Sequence, residues 1–177
     1  MPTFWSAAVT AVTALGAILL AVAGVAHAAR PREHRAVLRV HRLLPPAASV
    51  AAAIAATEVL VGVATLAALL TGSAAMALPA TGQAVLYCAF AGYAAVLRTR
   101  RAGVPCGCFG AEKASWAVVS RAVALAAGSA GCVVLGAPGP APDRWSCLAA
   151  GVVLAMAHHL IPAWRGAGAR KSRRAFR

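Results

Sequence analysis

Long runs of apolar residues, separated by short basic stretches, dominate the sequence. A run of about 20 apolar residues can cross the ~30 Å hydrocarbon core of a bilayer as a helix. Five runs meet or approach this length: Ser6–Ala28, Ala47–Leu70, Ala80–Leu97, Trp116–Gly136 and Trp145–Trp164. The third is the weakest because it is shorter and begins after Pro79, although the first turn of a helix tolerates proline. The pattern predicts an all-α integral membrane protein, a compact bundle of four to five transmembrane helices, with five preferred.

Composition supports this fold class. Of 177 residues, 61% are hydrophobic and only 12% are charged, and the mean hydropathy is +0.76, too high for a soluble domain of this size. Alanine and glycine occur throughout the apolar runs, and such small residues let membrane helices pack closely. We find no internal repeat and no soluble domain. The sequence therefore predicts one transmembrane domain over residues 1–164, followed by a basic cytoplasmic tail over residues 165–177.

The net charge of +13 would suggest a nucleic-acid partner in a soluble protein, but here its distribution indicates topology. Basic residues cluster after the first, third and fifth runs, whereas the other connections hold only Arg144. Basic segments next to membrane helices remain in the cytoplasm. We therefore predict a multi-pass protein of the cell membrane with its N-terminus outside and its C-terminus in the cytoplasm. The lipid bilayer is its expected partner, and no nucleic acid is expected.

Two cysteines in the connection after the third run are the strongest candidates for chemistry. Cys106 and Cys108 lie in the sequence V-P-C-G-C-F-G, between a group of arginines and Lys113. Positive neighbours favour the thiolate, the nucleophile in disulfide exchange. Gly107 and Gly110 permit unusual backbone conformations, so the sulfurs could approach each other. A disulfide closing so short a ring would be strained and therefore labile. The pattern predicts a thiol redox pair.

Two other interpretations of this pair stay open. The cysteines could be two ordinary loop thiols, or they could bind zinc together with His34 and His41, which are predicted on the same side of the membrane. A closed zinc site needs four nitrogen or sulfur ligands, and this spacing matches no known zinc pattern. We accordingly predict no metal and no cofactor.

Glu58 is a second candidate because it lies near the middle of the second run. An ionisable group at that depth faces the bundle interior, where it is paired or protonated. Both an interhelical hydrogen bond and a proton-handling role are consistent with this position. Arg121 lies early in the fourth run and could extend back to the cytoplasmic surface, so an ion pair with Glu58 stays open.

The remaining histidines and cysteines give weaker signals. His27 ends the first run, and His158 and His159 lie toward the inner end of the fifth, so two imidazoles could bind haem iron between helices. Interfacial hydrogen bonding is the favoured interpretation. Membrane-buried cysteines usually act as small apolar residues. However, Cys132 and Cys147 flank one predicted outer loop, where a disulfide could form.

The order of these features resembles the MauE proteins of methylamine utilisation, which group with the DoxX-like redox-associated membrane proteins. The resemblance covers most of residues 10–130. It rests on six features in order: Gly24, the segment His41-Arg42-Leu43-Leu44-Pro45, Glu58, Arg101-Ala102-Gly103, the C-G-C-F-G element at 106–110, and Ser120-Arg121.

This resemblance implies a membrane helper for processing, transport or maturation of the disulfide-rich small subunit of methylamine dehydrogenase. A thioredoxin-like protein or an exported disulfide-containing client would be its partner. Cys106 and Cys108 would be the redox pair, supported by Glu58 and Arg121. Because the charges place the pair in the cytoplasm while the client is exported, either reducing equivalents pass through Cys88 toward Cys132 and Cys147, or the orientation is reversed.

Two functions of other classes remain as alternatives to thiol redox activity. One is a non-catalytic membrane scaffold or small-solute carrier subunit, in which Glu58 matters and the cysteines do not. The other is a quinone-linked membrane oxidoreductase.

Overall fold

The computed structural model describes residues 2–72, 74–101, 103–107, 110–136 and 143–157. It contains α1 (Pro2–Ala29), α2 (Pro31–His41), α3 (Ala48–Thr71), α4 (Ala77–Arg100) and α5 (Trp116–Leu135), with one 3₁₀ turn (Ala74–Met76) before α4. A last helix, α6, covers residues 143–157. Two short strands, β1 (Pro105–Gly107) and β2 (Gly110–Lys113), lie between α4 and α5.

Four of these helices are long and apolar enough to cross a membrane within the described ranges: Phe4–Ala29, Ala48–Thr71, Ala77–Arg100 and Trp116–Leu135. They match the first four predicted spans within a few residues, apart from α4, which is longer at both ends. The predicted fifth span, Trp145–Trp164, extends beyond the described residues, and its described part belongs to α6. The predicted all-α membrane bundle is confirmed.

Local sequence explains where α1 and α2 end. Only Arg30 separates the two helices, because Pro31 has no backbone N–H to continue the hydrogen bonding of α1 and is well suited to the first turn of α2. At the other end of α2, Arg42 adopts a left-handed conformation with φ of 52° and donates its backbone N–H to the carbonyl of Leu38. The chain is thus directed into the proline-containing connection to α3.

The contact between α1 and α3 depends on two glycines. A Cβ added at Gly24 would lie 2.8 Å from the carbonyl oxygen of Ala55, and one added at Gly62 would lie 2.7 Å from that of Ala17. Real side chains cannot occupy such positions without moving a backbone. The glycines therefore allow the two helices to approach each other closely, as small residues commonly do between membrane helices.

Buried hydrogen bonds join α4 to α1 and α5. The Tyr87 hydroxyl donates to the carbonyl of Gly16 over 2.7 Å. The Gln83 amide donates to the carbonyl of Thr13 over 3.0 Å and to the Ser129 hydroxyl over 2.9 Å. Both α4 side chains are fully buried. In a lipid environment, such bonds fix the orientation of the helices relative to one another, and each contributes roughly 0.6 kcal/mol to stability.

The two strands form a small antiparallel hairpin, which the sequence predicted only as a polar connection. Pro105 pairs with Lys113 and Gly107 with Gly110, with an irregularity between the two pairs. Strand β1 also contacts α2. The hairpin, α2 and the C-terminal end of α4 therefore lie at the same end of the helical bundle.

Candidate functional site

A buried imidazole–carboxylate pair joins α1 to α3. Nδ1 of His27 lies 2.7 Å from Oε2 of Glu58, and the two side chains are 15% and 2% exposed. His27 follows Gly24 by about one helical turn, and Glu58 precedes Gly62 by about one turn. The close helix approach at the glycines thus brings both side chains together. The pair can share one proton, as imidazolium with carboxylate or as imidazole with carboxylic acid.

Helix α2 adds two more imidazoles beside this pair. The ring centroids of His27 and His34 are 4.0 Å apart, with a 32° angle between the planes. Burial, followed by the nearby imidazoles of His27 and His41, lowers the pKa of His34 from 6.5 to about 4. His34 is therefore neutral near pH 7. Farther along α2, Nδ1 of His41 lies 2.7 Å from the hydroxyl of Tyr93 on α4.

These groups line one cavity of about 340 Å³, among α1, α2, α3 and α4. Its polar lining is His27, His34, His41, Glu58 and Tyr93, and its apolar lining is Val37, Leu38, Leu44, Ile54, Leu86, Ala89 and Phe90. The volume lies within the range of small-molecule sites, which combine mainly apolar walls with a few polar groups. The cavity is therefore suited to an amphipathic ligand.

One polar atom at the cavity lacks a protein partner. Nε2 of His34 is buried, and the described residues offer it no hydrogen bond. Buried polar atoms are nearly always hydrogen-bonded, so an unpaired one calls for an explanation. A ligand in the cavity would supply the missing hydrogen-bond partner of Nε2.

The predicted redox pair lies only partly within the described residues. The backbone of Cys106 forms the middle of β1, while its side chain and the whole of Cys108 lie outside the description. The structure places β1 against α2, at the same end of the bundle as His34 and His41. The redox role of the two cysteines stays a prediction.

The structure assigns Glu58 a partner that the sequence did not predict. Arg121 lies in the second turn of α5, which packs mainly on α4 and α1, whereas Glu58 lies in α3 beside His27. The supporting role of Arg121 stays a prediction. His27, His34 and His41 were each noted in the sequence, but not as one site. Their regular spacing of seven residues, close to two helical turns, was the available signal.

The other cysteines are free thiols in the structure. Cys132 and Cys147 are buried and are not bonded to each other, so the disulfide considered for them is absent from this structure. Instead, Sγ of Cys132 lies 3.9 Å from the Thr10 hydroxyl, and that of Cys147 lies 3.5 Å from the carbonyl of Ala7. Cys88 is exposed on α4.

Neither of the two metal interpretations gains support within the described part of the chain. No group of three or more histidine, cysteine, aspartate or glutamate residues is placed there to hold a metal ion. His158 and His159, considered with His27 for haem, lie outside the described residues.

Among the described residues, four helices long and apolar enough to cross a membrane, with a buried imidazole–carboxylate pair between two of them, define a polytopic helical membrane protein. The sequence profile of the family described as "Methylamine utilisation protein MauE" matches residues 5–136, so the chain belongs to the MauE family. The match includes α1 to α5 almost entirely, and with them the cavity and the hairpin, and it confirms the resemblance to the MauE proteins. Neither the curated proteins nor the solved structures gave a significant match.

Proposed function

We propose that this MauE-family protein supports thiol–disulfide maturation of exported proteins through Cys106 and Cys108. The observation that carries the proposal is the sequence C-G-C-F-G, with two thiols one residue apart and basic residues on both sides along the chain. Its first residue, Cys106, belongs to β1, which pairs with β2. Basic neighbours favour the thiolate, and the glycines reduce the steric resistance to a short, strained disulfide. Such a bond exchanges readily with a client.

The exchange proceeds in two steps. A client thiolate attacks the Cys106–Cys108 disulfide, which breaks the S–S bond and forms a mixed disulfide. The second client thiolate then displaces the protein's sulfur. The client gains a disulfide, and the protein retains both electrons as a dithiol. By family resemblance, an exported protein of methylamine utilisation, such as the small subunit of methylamine dehydrogenase, is the expected client, with a thioredoxin-like protein as intermediary.

Replacing both cysteines in the full-length chain tests this proposal. The C106S/C108S variant should leave client thiols reduced, measured by alkylation and gel shift in cells that express the client. The matched control is Cys88→Ser, because Cys88 lies on the exposed face of α4, away from the hairpin. Immunoblotting of membranes verifies equal protein levels. Full client oxidation in the double variant would reject the thiol function.

A second candidate function follows from the His27–Glu58 pair. A scaffold or small-solute carrier subunit could use a buried, proton-sharing pair at this depth without any thiol chemistry. In that case Glu58→Gln would impair the protein's contribution to client maturation or solute uptake, while C106S/C108S would have no effect. The two variants thus separate the two functions.

A further inference from the structure

The cavity among α1, α2, α3 and α4 plays no part in thiol exchange itself, yet it has the features of a ligand site. Its walls are largely apolar, with Leu44, Ile54, Leu86 and Phe90 around a row of polar groups. Ile54 of α3 and Leu86 and Phe90 of α4 are only half-buried, and neighbouring residues on these helices are exposed at the bundle surface. In a membrane that surface meets lipid, so a ligand of this cavity would be lipid-soluble.

The polar groups that line the cavity further restrict the chemical class of its ligand. His34 is neutral near pH 7, so one of its ring nitrogens carries a hydrogen. With the hydrogen on the unpaired Nε2, the ring can donate to a carbonyl oxygen. The described lining residues include no lysine or arginine that could pair with an anionic headgroup. A neutral ligand with carbonyl oxygens fits better than a fatty acid.

We propose that this cavity binds the ring of a lipid-soluble quinone, with Nε2 of His34 donating to one ring carbonyl. The apolar walls contact the ring and the first part of its isoprenoid tail. His27 and Glu58 hold a shareable proton at the same cavity, where a reduced quinone needs one. The cavity size of about 340 Å³ accommodates a single headgroup rather than a large cofactor.

A bound quinone would also regenerate the disulfide. The Cys106–Cys108 dithiol loses two electrons and two protons and forms an S–S bond, while the quinone gains two electrons and two protons and becomes a quinol. Strand β1, which carries Cys106, contacts α2, which carries His34. This electron transfer rests on the thiol function proposed above, whereas quinone binding does not.

Photolabelling with an azido-substituted, short-tailed quinone tests binding in the purified full-length protein in lipid nanodiscs. Mass spectrometry should find the label on α2, α3 and α4 peptides that line the cavity, and excess unlabelled quinone should prevent it. Ala89→Leu places added bulk on the cavity wall and should abolish specific labelling. His34→Ala should weaken labelling about tenfold, as expected for one lost hydrogen bond. The matched control is Ala64→Leu on the exposed face of α3, outside the cavity lining, which should label like the wild type.

Three results would overturn quinone binding. They are label spread evenly over lipid-facing helices, unchanged labelling in Ala89→Leu, or competition by a fatty acid but not by unlabelled quinone. Failure here is distinguishable from failure of the thiol function, because C106S/C108S should still bind quinone. If clients need both cysteines but no quinone binds, only this inference fails. If quinone binds but the wild-type dithiol does not reduce it, the electron-transfer step fails.

Discussion

Nδ1 of His27 and Oε2 of Glu58 lie 2.7 Å apart across the contact of α1 with α3, with Glu58 almost completely buried. A carboxyl group in the apolar region of a membrane protein is costly unless it is paired or protonated. The pairing with His27 offsets the cost of burying the Glu58 carboxyl group, and it joins the first two membrane helices, α1 and α3, at the cavity. It also makes the two residues interdependent, which can be measured.

We expect the stability effects of His27→Ala and Glu58→Ala to be non-additive. Each change removes the same hydrogen bond, so the double variant should lose less stability than the sum of the single changes. The coupling should be roughly 0.5–2 kcal/mol, the range for interhelical hydrogen bonds in membranes. Denaturant unfolding in detergent micelles, followed by circular dichroism, measures it. Additive effects would show that the pair makes no net contribution.

Substitution of Gly62 should disturb the contact between α1 and α3. A side chain there meets the backbone of Ala17 and Ala21, so Gly62→Val should reduce stability by roughly 1–3 kcal/mol, as overpacking does. The matched control is Gly92→Val, because a Cβ at Gly92 meets nothing within 4 Å. Thermal denaturation in micelles compares the two. Equal melting temperatures would contradict the close approach described here.

Stability should fall as the pH is lowered from about 6.5 to about 4, in part because of His34. The lowered pKa of His34 means that the folded protein binds fewer protons than the unfolded chain in this window. The contribution of His34 to the stability of the fold is therefore fully present above about pH 6.5 and is lost as the pH falls toward 4. Four other titratable groups line the same cavity, namely His27, His41, Glu58 and Tyr93. The contribution of His34 must therefore be measured as the difference between the wild type and a variant that lacks this imidazole.

His34→Gln should therefore flatten the pH dependence of the melting temperature without removing it. The glutamine keeps a polar side chain at this position but does not titrate. Wild type and variant should differ most in slope between about pH 4 and 6.5 and least above pH 7. Identical slopes would mean that His34 is not held in its neutral form by the fold.

Thiol labelling in intact cells should place the hairpin in the cytoplasm, as the distribution of basic residues predicts. In a chain whose other four cysteines are replaced, Cys106 should react with a membrane-impermeant maleimide only after permeabilisation. The matched control has all five cysteines replaced and carries Phe4→Cys, at the exposed N-terminal end of α1, which should react from outside. If Cys106 is cytoplasmic, electrons from an exported client must be relayed across the membrane to reach the pair. Labelling of Cys106 in sealed cells would reverse the predicted orientation and would allow direct exchange with such a client.

Hydropathy was sufficient to predict the membrane helices because lipid selects directly for length and apolarity. The second span was predicted as Ala47–Leu70 and is observed as α3, Ala48–Thr71. The depth of Glu58 followed from the same count. Its pairing with His27 did not, because it depends on how α1 and α3 rotate and approach at Gly24 and Gly62, and hydropathy does not encode rotation.

The cavity was harder to predict for a related reason. It takes side chains from four helices, and its two α2 histidines become significant only once α2 is folded against the bundle. The hairpin was missed because its strands have only three and four residues, too few for an alternating pattern to be recognised. The reactivity of Cys106 stays a prediction from its neighbours in the sequence, and the contact of its strand with α2 could not be predicted from them.

Because a single residue separates α1 from α2, the second helix has almost no freedom to move independently of the first. Arg30 is the only joint between Ala29 and Pro31, so α2 cannot slide along the bundle without unwinding the end of α1. A conformational change that opened or closed the cavity would therefore have to swing α2 about this joint. The hairpin carrying Cys106 would follow, so a change at the cavity could be transmitted mechanically to the thiols.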